Sequence, residues 1–290
     1  MKILVTGATG KLGSKVVDSL LKSVPASNLV VSVRNPEKAE GLRNRGVEVR
    51  QGDFDRPETL DNALKGIDRL LIISADGDNE TRIKQHANAV KAAERAGVKF
   101  IAYTSLANAT ESKNLMSPPH FATEAAIIKT GIPYSFLRNN WYLENEIGSI
   151  QGAISGAPWV TSAGEGKVGW ALQQDYADAA AAVLVGNGHE NTVYELSGPL
   201  LTQEELASTL GNILGKEIPV QQVSDEKYAE IMKGLGLPDF VIPIVVGIQE
   251  SIRNGSLEVE SSDFEKVLGR PVTPINEALN QIVNEISKTK

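Results

Sequence analysis

The chain contains no cysteine, which removes disulfide frameworks, thiolate metal sites, iron–sulfur clusters and thiol nucleophiles together. Histidine is nearly as scarce, with 3 in 290 residues. No two of them stand at metal-ligand spacing, so no metal centre is expected. Long apolar runs are missing too. The longest, Phe240 to Ile248, holds nine residues and is broken by Pro243 and Gly247, against the roughly 20 that a membrane-spanning helix needs. The N-terminal run from Met1 reaches Gly7 before it can form a signal-peptide core, so a cytoplasmic location without membrane contact is the expectation. Positive charge is in deficit, 29 Lys and Arg against 36 Asp and Glu for a net charge of -7. The overall basic field that grips nucleic acid is therefore not expected.

What is present is ordinary folded-protein material, 41% hydrophobic and 22% charged, enough for one large domain or two that share a cleft. Up to Leu137, short β-rich runs alternate with longer helical patterns, the mark of stacked βαβ units and a parallel sheet covered on both faces. Strands are read at 2–6, 29–33, 47–51, 69–73, 100–103 and 134–137. Helices are read at 11–23, from Leu12, Val16, Val17, Leu20 and Leu21, and at 79–96, from Ile83, Ala87, Val90 and Ala93. Beyond Arg138 the alternation decays into strand-like pieces at 192–196 and 218–223 among helical segments at 175–185 and 202–214. The fold class is α/β: a Rossmann doubly wound parallel sheet with a smaller C-terminal α/β substrate lobe. The domains are 1–150, its sheet completed by strands after 150, and 151–290. The stretch 148–169 is read as crossing between them, with a mobile loop at 162–167.

Directly after the first strand comes Gly7-Ala8-Thr9-Gly10-Lys11-Leu12-Gly13. Glycines let this turn approach a ligand closely, and the free amides and dipole of the helix it opens attract a pyrophosphate, so a dinucleotide is expected here. In the NAD pattern an acidic residue about 20 positions on holds the ribose 2′-hydroxyl. Here Arg34 stands at that place, with Lys38 one helical turn further. A guanidinium grips a 2′-phosphate, so NADP(H) is preferred over NAD(H). Asp53 and Phe54 follow the third strand at the crevice and are candidates for the adenine, with an Asx turn and core filling as the alternative. Ser74 and Ala75 end the fourth strand and border the cofactor.

The Thr6-to-Gly10 sequence Thr-Gly-Ala-Thr-Gly resembles the extended and atypical short-chain dehydrogenases. Ser105, at the end of Tyr103-Thr104-Ser105, lies where that superfamily keeps its catalytic hydroxyl. Its Tyr-x-x-x-Lys proton relay is absent, and the matching place reads His120-Phe121-Ala122-Thr123-Glu124. With Gln85-His86-Ala87-Asn88-Ala89-Val90 and Leu137-Arg138-Asn139-Asn140-Trp141-Tyr142, this pattern is similar to the NmrA-like branch, and within it to quinone- and triphenylmethane-reducing members. The resemblance implies NADP(H) binding by the glycine turn and by Tyr103, Thr104, Ser105, Glu124, Arg138 and Asn139 at the strand ends. It also implies an acceptor pocket of His120, Asn140, Trp141 and Tyr142, with His120, Ser105 and Tyr142 as catalytic candidates. Such acceptors are strong hydride takers that need little acid catalysis, so positioning does most of the work. His120 protonates a quinone oxygen or packs at a helix start; Trp141 walls the pocket or fills an inter-lobe core. A small quinone-like acceptor and a monomer or homodimer are expected. The alternative function is a non-catalytic NADP(H)-binding redox sensor acting through a protein partner.

Overall fold

A computed structural model of the protein describes residues 1–110 and 115–288. In chain order the elements are β1 (Ile3–Thr6), α1 (Lys11–Leu21), β2 (Leu29–Val33), α2 (Glu40–Asn44), β3 (Glu48–Gln51), α3 (Pro57–Ala63), β4 (Arg69–Ile72), α4 (Asn79–Ala96), β5 (Phe100–Leu106), α5 (Ser117–Thr130), β6 (Tyr134–Asn139) and β7 (Trp141–Tyr142). Then follow α6 (Ile147–Ile154), β8 (Trp159–Thr161), β9 (Val168–Ala171), α7 (Gln173–Val185), β10 (Thr192–Leu196), β11 (Leu200–Leu201), α8 (Gln203–Leu214), β12 (Val220–Gln222), α9 (Asp225–Gly234), α10 (Ile242–Arg253), α11 (Asp263–Leu268) and α12 (Ile275–Lys288).

Seven strands form one parallel sheet in the order β10-β6-β5-β4-β1-β2-β3. Its strands are near-continuous apolar runs because both faces are covered: Val16, Val17 and Leu20 of α1 and Ala177, Ala180 and Leu184 of α7 pack on one side. Leu60 of α3, Val90 and Ala93 of α4 and Ile127 of α5 pack on the other. The chain reverses direction across the sheet between β1 and β4, which opens a crevice at the carboxyl ends of those strands, where open α/β sheets take ligands.

The seventh strand returns from far along the chain. α7 packs on the large sheet and β10 is its edge strand, so residues 173–196 belong with the first half of the chain. Ser19 of α1 donates to Asp178 of α7 at 2.6 Å, and Arg69 of β4 donates to the carbonyls of Val183, Leu184 and Gly186. The second lobe is built on the sheets β11-β9-β7 and β12-β8, around a core of Leu143, Trp159, Trp170, Leu206, Leu210, Leu279 and Ile282.

Two readings of the sequence change. The buried face of α4 is Arg82, Gln85, His86, Ala89, Val90, Ala92 and Ala93, while Ile83 is 37% exposed. The apolar stripe is displaced by one residue because polar side chains occupy the end facing the crevice. The loop 162–167, expected to move, is pinned: the Ser162 amide donates to Gln249 Oε1 at 3.0 Å, and a Cβ at Gly166 would lie 2.2 Å from the Ile252 carbonyl.

Candidate functional site

At the carboxyl end of β1 the glycine turn does what its composition suggests. Gly7 adopts φ +61°, and the Gly10 amide closes back on its carbonyl at 2.9 Å. A Cβ at Gly13 would sit 2.2 Å from the same carbonyl, so α1 packs against the turn only because residue 13 has no side chain. The N-cap of α1 is Gly10, with no side-chain hydrogen bond and no acidic residue in the first turn. Other helices here are closed, α4 by Asp78 and α8 by a Thr202–Glu205 capping box. The first-turn amides of α1, including those of Lys11 and Leu12, thus remain available to an anion, and the cradle fits a dinucleotide diphosphate. Thr9 and Lys11 are exposed beside it.

Arg34, just past β2, is exposed. Its carbonyl accepts from Gln51 Nε2. Among the described residues the guanidinium has no hydrogen-bond or ion-pair partner, which leaves it open to a phosphate. Asp53 Oδ1 accepts from the Asp55 amide at 3.0 Å, an Asx turn, and Phe54 packs edge-on to His86 at 6.4 Å. Both residues thus adopt the local structure given above as the alternative to adenine contact.

Beneath the ends of β4 and β5 lies a largely buried polar cluster. The Ser74 amide donates to Thr104 Oγ1 and the Ala75 amide to His86 Nε2, each at 2.9 Å. His86 is 0% exposed. Because its Nε2 accepts, its hydrogen is on Nδ1 and goes to Thr123 Oγ1 at 2.8 Å, which donates to the Pro119 carbonyl. Arg82 Nη2 donates to Ser74 Oγ at 2.8 Å and to His120 Nε2 at 2.9 Å. The His120 hydrogen is then on Nδ1, facing the Tyr103 hydroxyl at 2.9 Å. Burial, and secondarily the Arg82 charge, lowers the pKa of His86 to about 4 and that of His120 well below the ordinary histidine range. Both rings are neutral, while burial raises Tyr103 to about 12.

One strand over, a second buried network replaces the missing relay. Ser105 Oγ donates to Glu124 Oε1 at 2.6 Å. Arg138 grips the same carboxylate in a fork, Nε to Oε1 at 3.0 Å and Nη2 to Oε2 at 2.7 Å. Its Nη1 reaches Glu195 of β10 at 3.0 Å. Burial alone would lower the Arg138 pKa, but these two carboxylates carry it above its usual value. Glu195, raised by burial, also accepts from the amide of Asn108, a residue at φ 53°. The network ties the β5–α5 loop to β6 and β10.

Beyond β6, Asn139 Nδ2 donates to the Tyr142 hydroxyl at 3.0 Å, and the Tyr142 ring meets Tyr176 edge-on at 5.0 Å. Burial pushes the Tyr142 phenol up to about 12. Asn140 is 3% exposed and spends its amide hydrogens on Ser197 Oγ and the Leu257 carbonyl, joining the lobes. Trp141 pairs in register with Trp170, and both indoles donate to Glu146 Oε1, at 3.2 and 3.1 Å. Trp141 thus packs on the second-lobe core, and burial raises the Glu146 pKa.

The structure gathers His120, Tyr103, Thr104, Ser74 and Ala75 into one cluster and Ser105, Glu124 and Arg138 into another; Asn139 and Tyr142 form a third pair. Arg82, Glu146 and Glu195 were missed. A signal existed for Arg82, which stands four residues before His86 and so shares its helix face. Glu146 and Glu195 find their partners only in the folded chain.

A diphosphate-binding cradle at the switch point of a parallel sheet, with a second lobe beside it, makes this a dinucleotide-binding protein of the Rossmann class. The NmrA-like family model matches residues 1–273, and the chain belongs to that family. Quinone oxidoreductase 2 of Escherichia coli is 40% identical over 283 residues, 97% of this chain and 99% of that one. The crystal structure of Citrobacter triphenylmethane reductase complexed with NADP(H) superposes with a TM-score of 0.94 at 42% identity, covering 97% of this chain and all of its own. The NADPH-dependent quinone oxidoreductase of Escherichia coli complexed with NADPH gives a TM-score of 0.93 at 40% identity, covering 97% and 99%. Among the described residues, no helix is long and apolar enough to cross a membrane.

Proposed function

We propose that this protein is an NADPH-dependent oxidoreductase that transfers hydride to quinones or similar planar, electron-poor small molecules. The observation that carries this reading is at the place where a carbonyl reductase of this fold needs a proton relay. There the chain has a neutral His120 whose ring nitrogens both face partners, and a Ser105 whose hydrogen is committed to Glu124. With His120 and Ser105 both unavailable as acids, the site suits acceptors that take hydride readily. Two relatives of 40% and 42% identity, matched over nearly the full chain, are named as a quinone and a triphenylmethane reductase, so the redox-sensor alternative is not favoured.

In this reading the turn from Gly7 to Gly13 receives the diphosphate and Arg34 the 2′-phosphate. Thr104, Ser105, Glu124 and Arg138 hold the strand ends under the cofactor, and Tyr142 flanks the acceptor, with Trp141 behind it on the second-lobe core. Bound NADPH supplies the hydride; the chain's own residues orient it and keep water out. Ser105 and His120 act by position and not as proton donors, which leaves Tyr142 as the catalytic candidate whose hydrogen is uncommitted. The test is NADPH oxidation with benzoquinones, naphthoquinones and cationic triphenylmethane dyes. Turnover with either class supports the reading; none with both overturns it.

A further inference from the structure

The two buried clusters at the crevice each contain one guanidinium, and only one is neutralised. Arg82 is 8% exposed, yet both its hydrogen bonds leave from Nη2 and go to uncharged partners, Ser74 Oγ and His120 Nε2. Among the described residues Nε has no partner, and it is shielded from solvent. Nη1 makes no hydrogen bond among the described residues, and the residue keeps a small exposure of 8%. No carboxylate there lies within ion-pair distance; Asp76, whose charge the guanidinium feels, is on the exposed loop above. Buried charges are paired as a rule, because desolvating one alone costs several kcal/mol. An unpaired one at a ligand crevice marks where a ligand brings the opposite charge.

We propose that Arg82 is the anion-stabilising group of the acceptor site, its Nη1 edge meeting the oxyanion that hydride transfer creates on a quinone. This deepens the reading above and rests on it. The reaction defines the charge: the quinone gains two electrons and one proton as hydride from NADPH, which becomes NADP+. One carbonyl oxygen is left as an aryloxide, and a solvent proton completes the hydroquinone. In the ground state the acceptor is neutral, so the attraction to Arg82 grows along the reaction and lowers the barrier. His120 and Ser74 are positioning residues that hold the guanidinium in one orientation. Because both accept from it as neutral groups, they orient it without cancelling its charge.

The test uses acceptors that differ in product charge. Hydride addition to a quinone creates an anion, whereas addition to a triphenylmethane dye cation creates a neutral molecule. In Arg82→Met, kcat with benzoquinone is expected to fall about a hundredfold, as when one oxyanion donor is removed, with the NADPH Kd unchanged and Arg82→Lys recovering part of the loss. Dye reduction by the same variant is expected to hold or to rise. Equal losses with both acceptors would mark Arg82 as structural and overturn the proposal, as would an undiminished quinone rate.

A binding arm needs no turnover. In the NADP+ complex at alkaline pH, 4-nitrophenolate is expected to bind the wild type at least about tenfold more tightly than Arg82→Met, while nitrobenzene binds both alike. No such difference overturns the anion site. A wild type that turns over neither acceptor class overturns the proposed function instead, and the nitrophenolate result then decides on Arg82 alone.

Discussion

Arg138 and Arg82 lie under the same crevice and are nearly equally buried, at 9% and 8% exposure, but their surroundings are opposite. Arg138 is shared by two carboxylates, one of them in a fork; Arg82 faces a hydroxyl and an imidazole. The first arrangement is complete within the protein and welds β5, α5, β6 and β10 together. The second holds a charge in readiness, which folding alone would not select, since an unpaired buried ion destabilises. Burial and charge are therefore the same in a structural arginine and a functional one; the partner list separates them.

The widest gap between the two should appear in stability. Replacing Arg138 with Met strands Glu124 and Glu195 as buried, unpaired carboxylates, and breaking such a pair costs about 3–5 kcal/mol. Arg82→Met strands only neutral groups and removes a desolvated charge, so its stability is expected within about 1 kcal/mol of wild type. Urea midpoints of the two variants at neutral pH check this. Similar losses in both would erase the distinction.

Acid supplies the next effect. His86 and His120 are held neutral in the fold, so their contribution is fully present above the ordinary histidine pKa of 6.5 and is lost as pH falls from there toward the folded value, about 4 for His86. For His86 alone that window is worth roughly 3 kcal/mol. Burial is the main cause and the Arg82 charge the second, so removing that charge should let the rings protonate at higher pH. The fall in stability between about pH 7 and about pH 5 is thus expected to be shallower in Arg82→Met than in wild type, with unfolding midpoints at the two pH values as the measurement. An identical fall would mean that the two rings do not sense the guanidinium.

A third arginine sharpens the contrast from outside the core. Arg34 is exposed and, among the described residues, without an ion-pair partner, so as a solvated charge it costs the fold little and is the group we propose meets the 2′-phosphate. Arg34→Asp is expected to shift the NADPH-to-NADH preference by tenfold to a hundredfold, about 1.5–3 kcal/mol, by losing the charge-assisted fork and adding repulsion. The ratio of kcat/KM for the two coenzymes reads it directly, and an unmoved ratio would place the 2′-phosphate elsewhere.

Arg34 could be singled out in the sequence because the role proposed for it depends on its distance from a glycine turn in one βαβ unit. The same locality made the parallel sheet legible: a strand such as Leu29–Val33, buried on both faces, announces itself as an apolar run. Thr192–Leu196 was readable as a strand, but its place beside β6 comes from pairing across 57 residues, as between Thr192 and Ser135. Arg82 and Glu195 were illegible for a related reason. A charged residue in a helix or strand reads as solvent-facing unless its partners are known, and His120 is 38 residues from Arg82 while Glu195 is 57 from Arg138. The stripe on α4 was accordingly drawn through Ile83, one residue from the position that is in fact buried.

The smallest effect tests whether pairing alone, without burial, confers what Arg138 has. Arg45 donates to Asp18 at 2.6 Å, a shorter contact than any Arg138 makes, with side chains 47% and 50% exposed. If short distance were what mattered, Arg45→Ala would be as damaging as Arg138→Met. Water and salt screen an exposed pair and its long side chains lose entropy in holding it, so the cost is expected to be about 0.2–1 kcal/mol. It should shrink further when salt is raised, whereas the loss in Arg138→Met should respond far less because that network is mostly buried. Urea midpoints at low and high salt for both variants separate the cases. An Arg45 effect that is large and independent of salt would show that geometry outweighs desolvation, and would weaken the charge argument made for Arg82.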